Sequence, residues 1–250
     1  MIRNGIAVAA VVVGLGSTGP CAAQRLADRI SQVPDGRVRM TYATRPGVCG
    51  DGRNINTSGD SDWVACEAGP ARVVLDVENG VVTRLSIYVG GRWRPRDDVT
   101  DLGRVAASDA ADYLLSLVED ADDLVARRAV LPAVIADSAV AWPRLLAVAA
   151  DHERSSKVRR EALQWVGIEA SRTLDDDARV SQERDADSDA RQRAVFAISQ
   201  LPSREAVPRL IEIAETHRYA HVRQKALFWL AHSGDERAIE VLAGVLEGRR

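Results

Sequence analysis

The chain reads as an α+β protein in which a small disulfide-tied antiparallel β-module precedes an all-α solenoid, and three observations lead there. An arginine recurs every 32 residues at Arg127, Arg159, Arg191 and Arg223, each opening a similar apolar frame. Alternating apolar residues flank Asn79-Gly80 in the first half, the pattern of a β-hairpin. Two cysteines, Cys49 and Cys66, remain once a cleavable leader is set aside. A fixed period of this length marks units that cannot bury their apolar faces alone and must stack, and the usual task of such an array is to present a surface.

The first 23 residues have the pattern of a secretory leader. Arg3 supplies the positive charge, Ile6–Leu15 the apolar stretch, and Cys21-Ala22-Ala23 the small residues for cleavage before Gln24. Ten apolar residues are far fewer than the roughly 20 that cross a bilayer, so the mature chain is not expected to be integral to a membrane. A lipid anchor at Cys21 is the competing reading, although Pro20 stands where that pattern wants a small residue.

Without Arg3 the formal net charge moves from −3 to −4, and the surplus of cations that phosphate binding requires is missing. No nucleic-acid partner is expected. In an oxidising compartment the two remaining cysteines are expected to pair, and closing a loop of that size stabilises a small module by about 3 kcal/mol in the chain-entropy model. Two sulfurs without His or carboxylate at ligand spacing do not complete a metal site, so neither metal nor cofactor is expected.

Residues 24–94 form the β-rich module. Its clearest piece is the hairpin Ala71–Val77 with Val81–Val89. A three-residue loop, Glu78-Asn79-Gly80, sets Leu75 opposite Thr83 and Val73 opposite Leu85, which keeps one apolar face and is the register expected. Arg37–Ala43 and Trp63–Cys66 read as two further strands. The glycine-rich run Pro46–Arg53 invites comparison with a phosphate cradle. It lacks the Gly-Lys-Ser/Thr ending and opens no helix, so a disulfide-tied surface turn is the simpler reading.

Residues 95–107 read as a polar linker, and residues 108–250 as the solenoid. Ser108 is placed as the cap of the first helix, with Asp109 and Asp112 following. Helices are expected in pairs near 109–119 and 123–136, 141–151 and 156–169, 173–184 and 189–201, then 205–216 and 220–232, closed by 236–247. Pro143 and Pro208 are placed near helix starts, where a missing N–H costs little.

Val158-Arg-x-x-Ala-Leu, Val222-Arg-x-x-Ala-Leu and their counterparts, alternating with first helices such as Glu205–Ile211 and Glu236–Leu242, resemble HEAT repeats. The likeness is to the short type also found in phycobilisome-lyase proteins and covers about residues 108–250. It implies protein–protein interaction, with a lyase-type enzyme as the alternative and a structural envelope component as another.

At about 100° per residue, Arg159 shares the face of Ala162, Leu163 and Val166, as do the other repeat arginines with theirs. Arg127, Arg159, Arg191 and Arg223 are therefore expected to form a structural ladder, their stems packed and their heads paired. Phe196 and Phe228 occupy equivalent positions roughly opposite that face, and Trp165 and Trp229 share the next one. These four aromatics are the candidate partner-binding stripe, with burial in the core as the competing reading. His217 and His221 lack the intervening Glu of a metalloprotease helix, and Asp185–Asp189 lacks the glycine and glutamate of a calcium loop. No catalytic constellation emerges. The function expected is an exported, non-catalytic module that binds another extracytoplasmic protein.

Mass spectrometry of the mature protein is expected to find its N-terminus at Gln24 or within a few residues. Intact Met1 in the cytoplasm would contradict the export reading. Labelling of unreduced, denatured protein is expected to find neither Cys49 nor Cys66 as a free thiol, and two labelled cysteines would show that no bridge forms.

Overall fold

The computed structural model describes residues 22–57, 66–92, 98–178 and 188–249. The expected leader up to Cys21, the first three residues of the strand expected at Trp63–Cys66, and residues 179–187 lie outside the described residues. Among the described residues no helix is long and apolar enough to cross a membrane.

The chain opens with helix α1 (Ala22–Ser31), which buries Leu26 and Ile30 one turn apart. Strands β1 (Gly36–Tyr42), β5 (Ala71–Glu78) and β6 (Val81–Tyr88) follow the apolar alternation. Val38, Met40 and Tyr42 of β1 and Ala71, Val73, Leu75 and Val77 of β5 are all buried, so one face of the sheet builds the core. The fourth strand, β7 (Val99–Arg104), lies in the span read as a linker and pairs parallel with β1. The sheet order is β6-β5-β1-β7, with antiparallel pairing elsewhere, so the module is mixed and not purely antiparallel.

The hairpin takes a register different from the one expected. Asn79 and Gly80 both have positive φ and form a two-residue turn, which sets Glu78 opposite Val81 and Val77 opposite Val82. Carried unchanged, that register would place Leu75 against Arg84. A bulge on β6 at Thr83 shifts the pairing by one, bringing Leu85 opposite Leu75 and Ile87 opposite Val73. One extra residue thus reconciles the tight turn with a continuous apolar face.

The glycine-rich run forms β2 (Cys49–Gly50) and β3 (Ile55–Asn56), which join β4 (Glu67–Ala68) in a small sheet of order β3-β2-β4. The Cys49–Cys66 disulfide ties this sheet together. Its glycines serve close backbone packing and not an anion. A Cβ on Gly50 would stand 2.5 Å from the Val89 carbonyl oxygen, and one on Gly90 would stand 2.1 Å from that of Gly50.

The helices are α2 (Ala107–Asp120), α3 (Asp123–Val134), α4 (Trp142–Ala150), α5 (Ser156–Ala178), α6 (Ser188–Ser199), α7 (Ser203–Thr216), α8 (Ala220–Ser233) and α9 (Arg237–Leu246). Ser108 is not the cap of α2. Ala106 holds that position without a side-chain bond, whereas Asp122 caps α3 by accepting from the N–H groups of Leu124 and Val125. Pro143 sits at the start of α4 as expected, and Pro208 lies inside α7. No break separates 156–169 from the helix expected at 173–184: α5 runs unbroken to Ala178.

Module and helices meet along a hydrogen-bonded seam. The buried Tyr42 hydroxyl donates to the Pro132 carbonyl at 2.7 Å, and burial pushes its pKa far above the ordinary tyrosine value. Arg45 donates its backbone N–H to Ile135 and its guanidinium to Glu169, the latter at 2.6 Å. Arg172 on α5 reaches back to the Thr57 carbonyl at 2.6 Å.

The repeats do not stack as a uniform solenoid. Arg127 faces Glu161 at 3.9 Å, and Ile135 and Glu169 both touch Arg45, so α3 and α5 run parallel as neighbouring repeats should. α5 and α8 run antiparallel. As α5 advances from Arg159 through Gly167 to Ser171, its contacts on α8 and the turn beyond it recede from Glu236 through Ala231 to Gln224. The helix expected to close the array at its end, α9, instead packs against α4, α5, α7 and α8, while α6 packs on α7 and α8.

Gly167 makes the α5–α8 approach possible, since a Cβ there would lie 2.1 Å from the Cβ of Ala231. The two residues are equivalent in the repeat, two periods apart. Gly167→Ala is expected to lower folding stability by about 1–3 kcal/mol by overpacking, against the gain alanine normally brings to a helix. Denaturant unfolding checks this, and the swap Gly167→Ala with Ala231→Gly is expected to recover most of the loss. An unchanged or raised stability in the single variant would show that the helices are not in contact there.

Candidate partner-binding site

The apolar faces that position the candidate residues are buried in three of the second helices. Ala162, Leu163 and Val166 of α5 are buried, as are Ala226, Leu227 and Leu230 of α8 and Ala126, Val130 and Val134 of α3. In α6 only Val195 of the corresponding set is fully buried, and Ala194 is exposed. Ile198 of α6 is half-buried against the core.

Phe196 is 46% exposed, a high value for so large an apolar ring. Its ring centroid lies 5.2 Å from that of Trp229, which in turn meets Phe228 edge-on at 5.1 Å. Phe228 and Trp229 are half-buried. His232 lies against Phe228 at 4.1 Å and donates its Nδ1–H to the Phe228 carbonyl at 2.7 Å. Lys225 Nζ stands 5.2 Å from the Phe228 centroid and 5.9 Å from that of Trp229, a cation within reach of both ring faces. The Trp229 indole N–H is buried and finds no acceptor among the described residues, at a cost of about 1–3 kcal/mol.

The structure therefore brings together three of the four candidate aromatics. Trp165 is the exception: its indole N–H turns to Glu161 Oε1 on its own helix at 3.3 Å, and among the described residues no ring contact joins it to the others. The cause is the antiparallel arrangement of α5 and α8, which removes the side-by-side alignment that equivalent positions have in a parallel stack.

The repeat arginines each find a partner, but not one shared row. Arg127 pairs with Glu161, and Arg159 contacts His152 Nδ1 at 3.0 Å and Glu236 at 3.4 Å. Arg191 lies over the Tyr219 ring at 4.4 Å, and Arg223 donates to the carbonyls of His217 and Arg218. Arg159 and Arg223 thus occupy opposite ends of the α5–α8 pair. Tyr219, which sequence reasoning left out, is flanked by a second guanidinium, Arg218, at 4.2 Å and by the rings of His217 and His221. Burial, followed by the charges of Arg191, His221, Arg223 and Arg218, holds the His217 pKa below the ordinary histidine value.

Between the start of α5 and the end of α8 lies a cavity of about 240 Å³ whose polar lining is Ser156, Arg159, Arg160, His232, Ser233 and Glu236. Among the described residues no group of three His, Cys, Asp or Glu is placed to hold a metal ion. Within this lining Arg159 pairs with Glu236 at 3.4 Å.

No curated protein and no solved structure matches the chain. Residues 177–249 match the family model of HEAT repeats, a span that takes in α6 to α9 and lies within the longer region whose frame resembles these repeats. The helices that carry Phe196, Phe228 and Trp229 lie inside that matched span.

Proposed function

We propose that the protein is an exported, non-catalytic interaction or scaffolding module that binds another extracytoplasmic protein through the aromatic cluster on α6 and α8. The observation that carries this reading is the exposure of Phe196 at 46% beside two half-buried aromatics on HEAT helices. An exposed ring packed against another, as Phe196 is against Trp229, loses little freedom on binding and contributes a large apolar area, the profile of an interface anchor. Lys225 and His232 supply polar groups beside Phe228. Export is supported by the leader pattern and agrees with the Cys49–Cys66 disulfide, since such bridges persist in oxidising compartments.

Affinity capture from the native extracytoplasmic fraction tests the reading. Phe196→Ala is expected to weaken capture by about 2 kcal/mol or more, as truncation of an anchor does. Phe228→Ala is expected to weaken it as well, and to lower the melting temperature more, because its ring supports both Trp229 and His232. Unaltered capture by folded Phe196→Ala protein would remove the cluster from the interface.

A further inference from the structure

The sheet leaves one edge open beside a helix. β6 is the outermost strand in the order β6-β5-β1-β7, and α3 packs next to it. Between them runs a groove of about 680 Å³, walled on one side by Leu85–Tyr88 of β6 and on the other by Leu124, Arg127, Arg128 and Leu131. The four α3 residues fall at i, i+3, i+4 and i+7, so a single stripe of the helix faces the strand. Leu124 is 49% exposed, and Ile87 and Leu131 are half-buried.

The main chain of β6 is oriented toward this groove at alternate residues. Arg128 Nη1 donates to the Leu85 carbonyl at 3.5 Å, which places that carbonyl on the α3 side of the strand and away from β5. In an antiparallel strand the N–H and C=O of one residue point the same way and repeat every second residue. Ile87 therefore presents its N–H and C=O to the groove as well. The bulge at Thr83 bounds this stretch at one end, and the bond from the Gly52 N–H to the Val89 carbonyl at 2.8 Å bounds it at the other. The open edge is short, enough for a few residues of an added strand.

The charges at the groove select the occupant. Among the described residues, Arg53, Arg127 and Arg128 line it against one carboxylate, Glu161, which is shared with Arg127 at 3.9 Å. This is a local inversion of a chain whose overall charge is −3. We infer that the β6–α3 groove binds an extended acidic peptide segment of a partner protein by strand addition, its backbone pairing with Leu85 and Ile87 and its side chains alternating between the apolar wall and the arginines. Entry of the peptide replaces the long Arg128–Leu85 bond with a strand bond and frees the guanidinium for a carboxylate. The site lies between the β-module and α3 and shares no residue with the aromatic cluster.

Panning a displayed library of random linear peptides on the full mature protein tests this, followed by titration of the selected sequences as free fluorescent peptides. Enrichment of sequences with acidic residues alternating with β-branched or aliphatic ones is expected. Hydrogen exchange of the bound protein is expected to slow at Ile87 by about tenfold or more, because its N–H gains a partner. Arg127→Glu and Arg53→Glu are each expected to weaken binding by about tenfold or more, while Phe196→Ala leaves it unchanged. Four results would overturn the proposal: no enrichment above a blank surface, enriched sequences without acidic residues, binding with no protection at Ile87, or undiminished binding by both charge-reversed variants in folded form.

Discussion

The contact that the helical half depends on is the one at Gly167, where α5 and α8 come close enough that no side chain fits between the backbone of one and Ala231 of the other. Packing at that distance lets Ser171 and Gln224 exchange bonds across the pair and brings Arg159 within reach of Glu236 at the far end. α5 is also the helix that α3, α4 and α9 pack against. A wider separation here would loosen four neighbours at once, since cores at native density transmit displacement instead of absorbing it.

The second constraint is the seam that joins sheet and helices. Tyr42, Arg45 and Arg172 each place a donor on a carbonyl or carboxylate across the boundary, and two of them draw on the same Glu169. Guanidinium pairs of this kind, less than about a third exposed, hold orientation better than isolated surface pairs do. The β6–α3 groove is a product of that orientation, because its two walls belong to elements on opposite sides of the seam.

Much of the architecture was legible because its signals are local. The β1, β5 and β6 alternation, the NG turn, the cysteine pair and most helix spans follow from periods of two and 3.6 read over a few residues. What was not legible depends on residues distant in sequence. β7 lies in a polar stretch, Val99–Arg104, whose pairing with β1 has no apolar alternation to announce it. The Thr83 bulge arises from a conflict between turn and face, each of which alone implies a uniform register. α1 carried a signal that was passed over, Leu26 and Ile30 one turn apart beside Gln24. Of the candidate site, Phe196, Phe228 and Trp229 were found from their repeat positions. Trp165 was grouped with them on the assumption of parallel stacking, and the direction in which two helices meet leaves no trace in a 32-residue period.

That direction has a consequence for the symmetry of the molecule. Gly167 and Ala231 are the same residue position in two repeats, and Arg160 meets Gly234 while Ser171 meets Gln224, so each side of the contact reproduces the other. This is the pattern of a pseudo-two-fold axis passing near Gly167, in contrast to the translation that relates α3 to α5. A translation leaves a fresh copy of the same surface at each step and generates open-ended arrays, whereas a two-fold operation consumes the surface it acts on and closes after one application. The chain contains both operations, an open step from α3 to α5 and a closed one from α5 to α8.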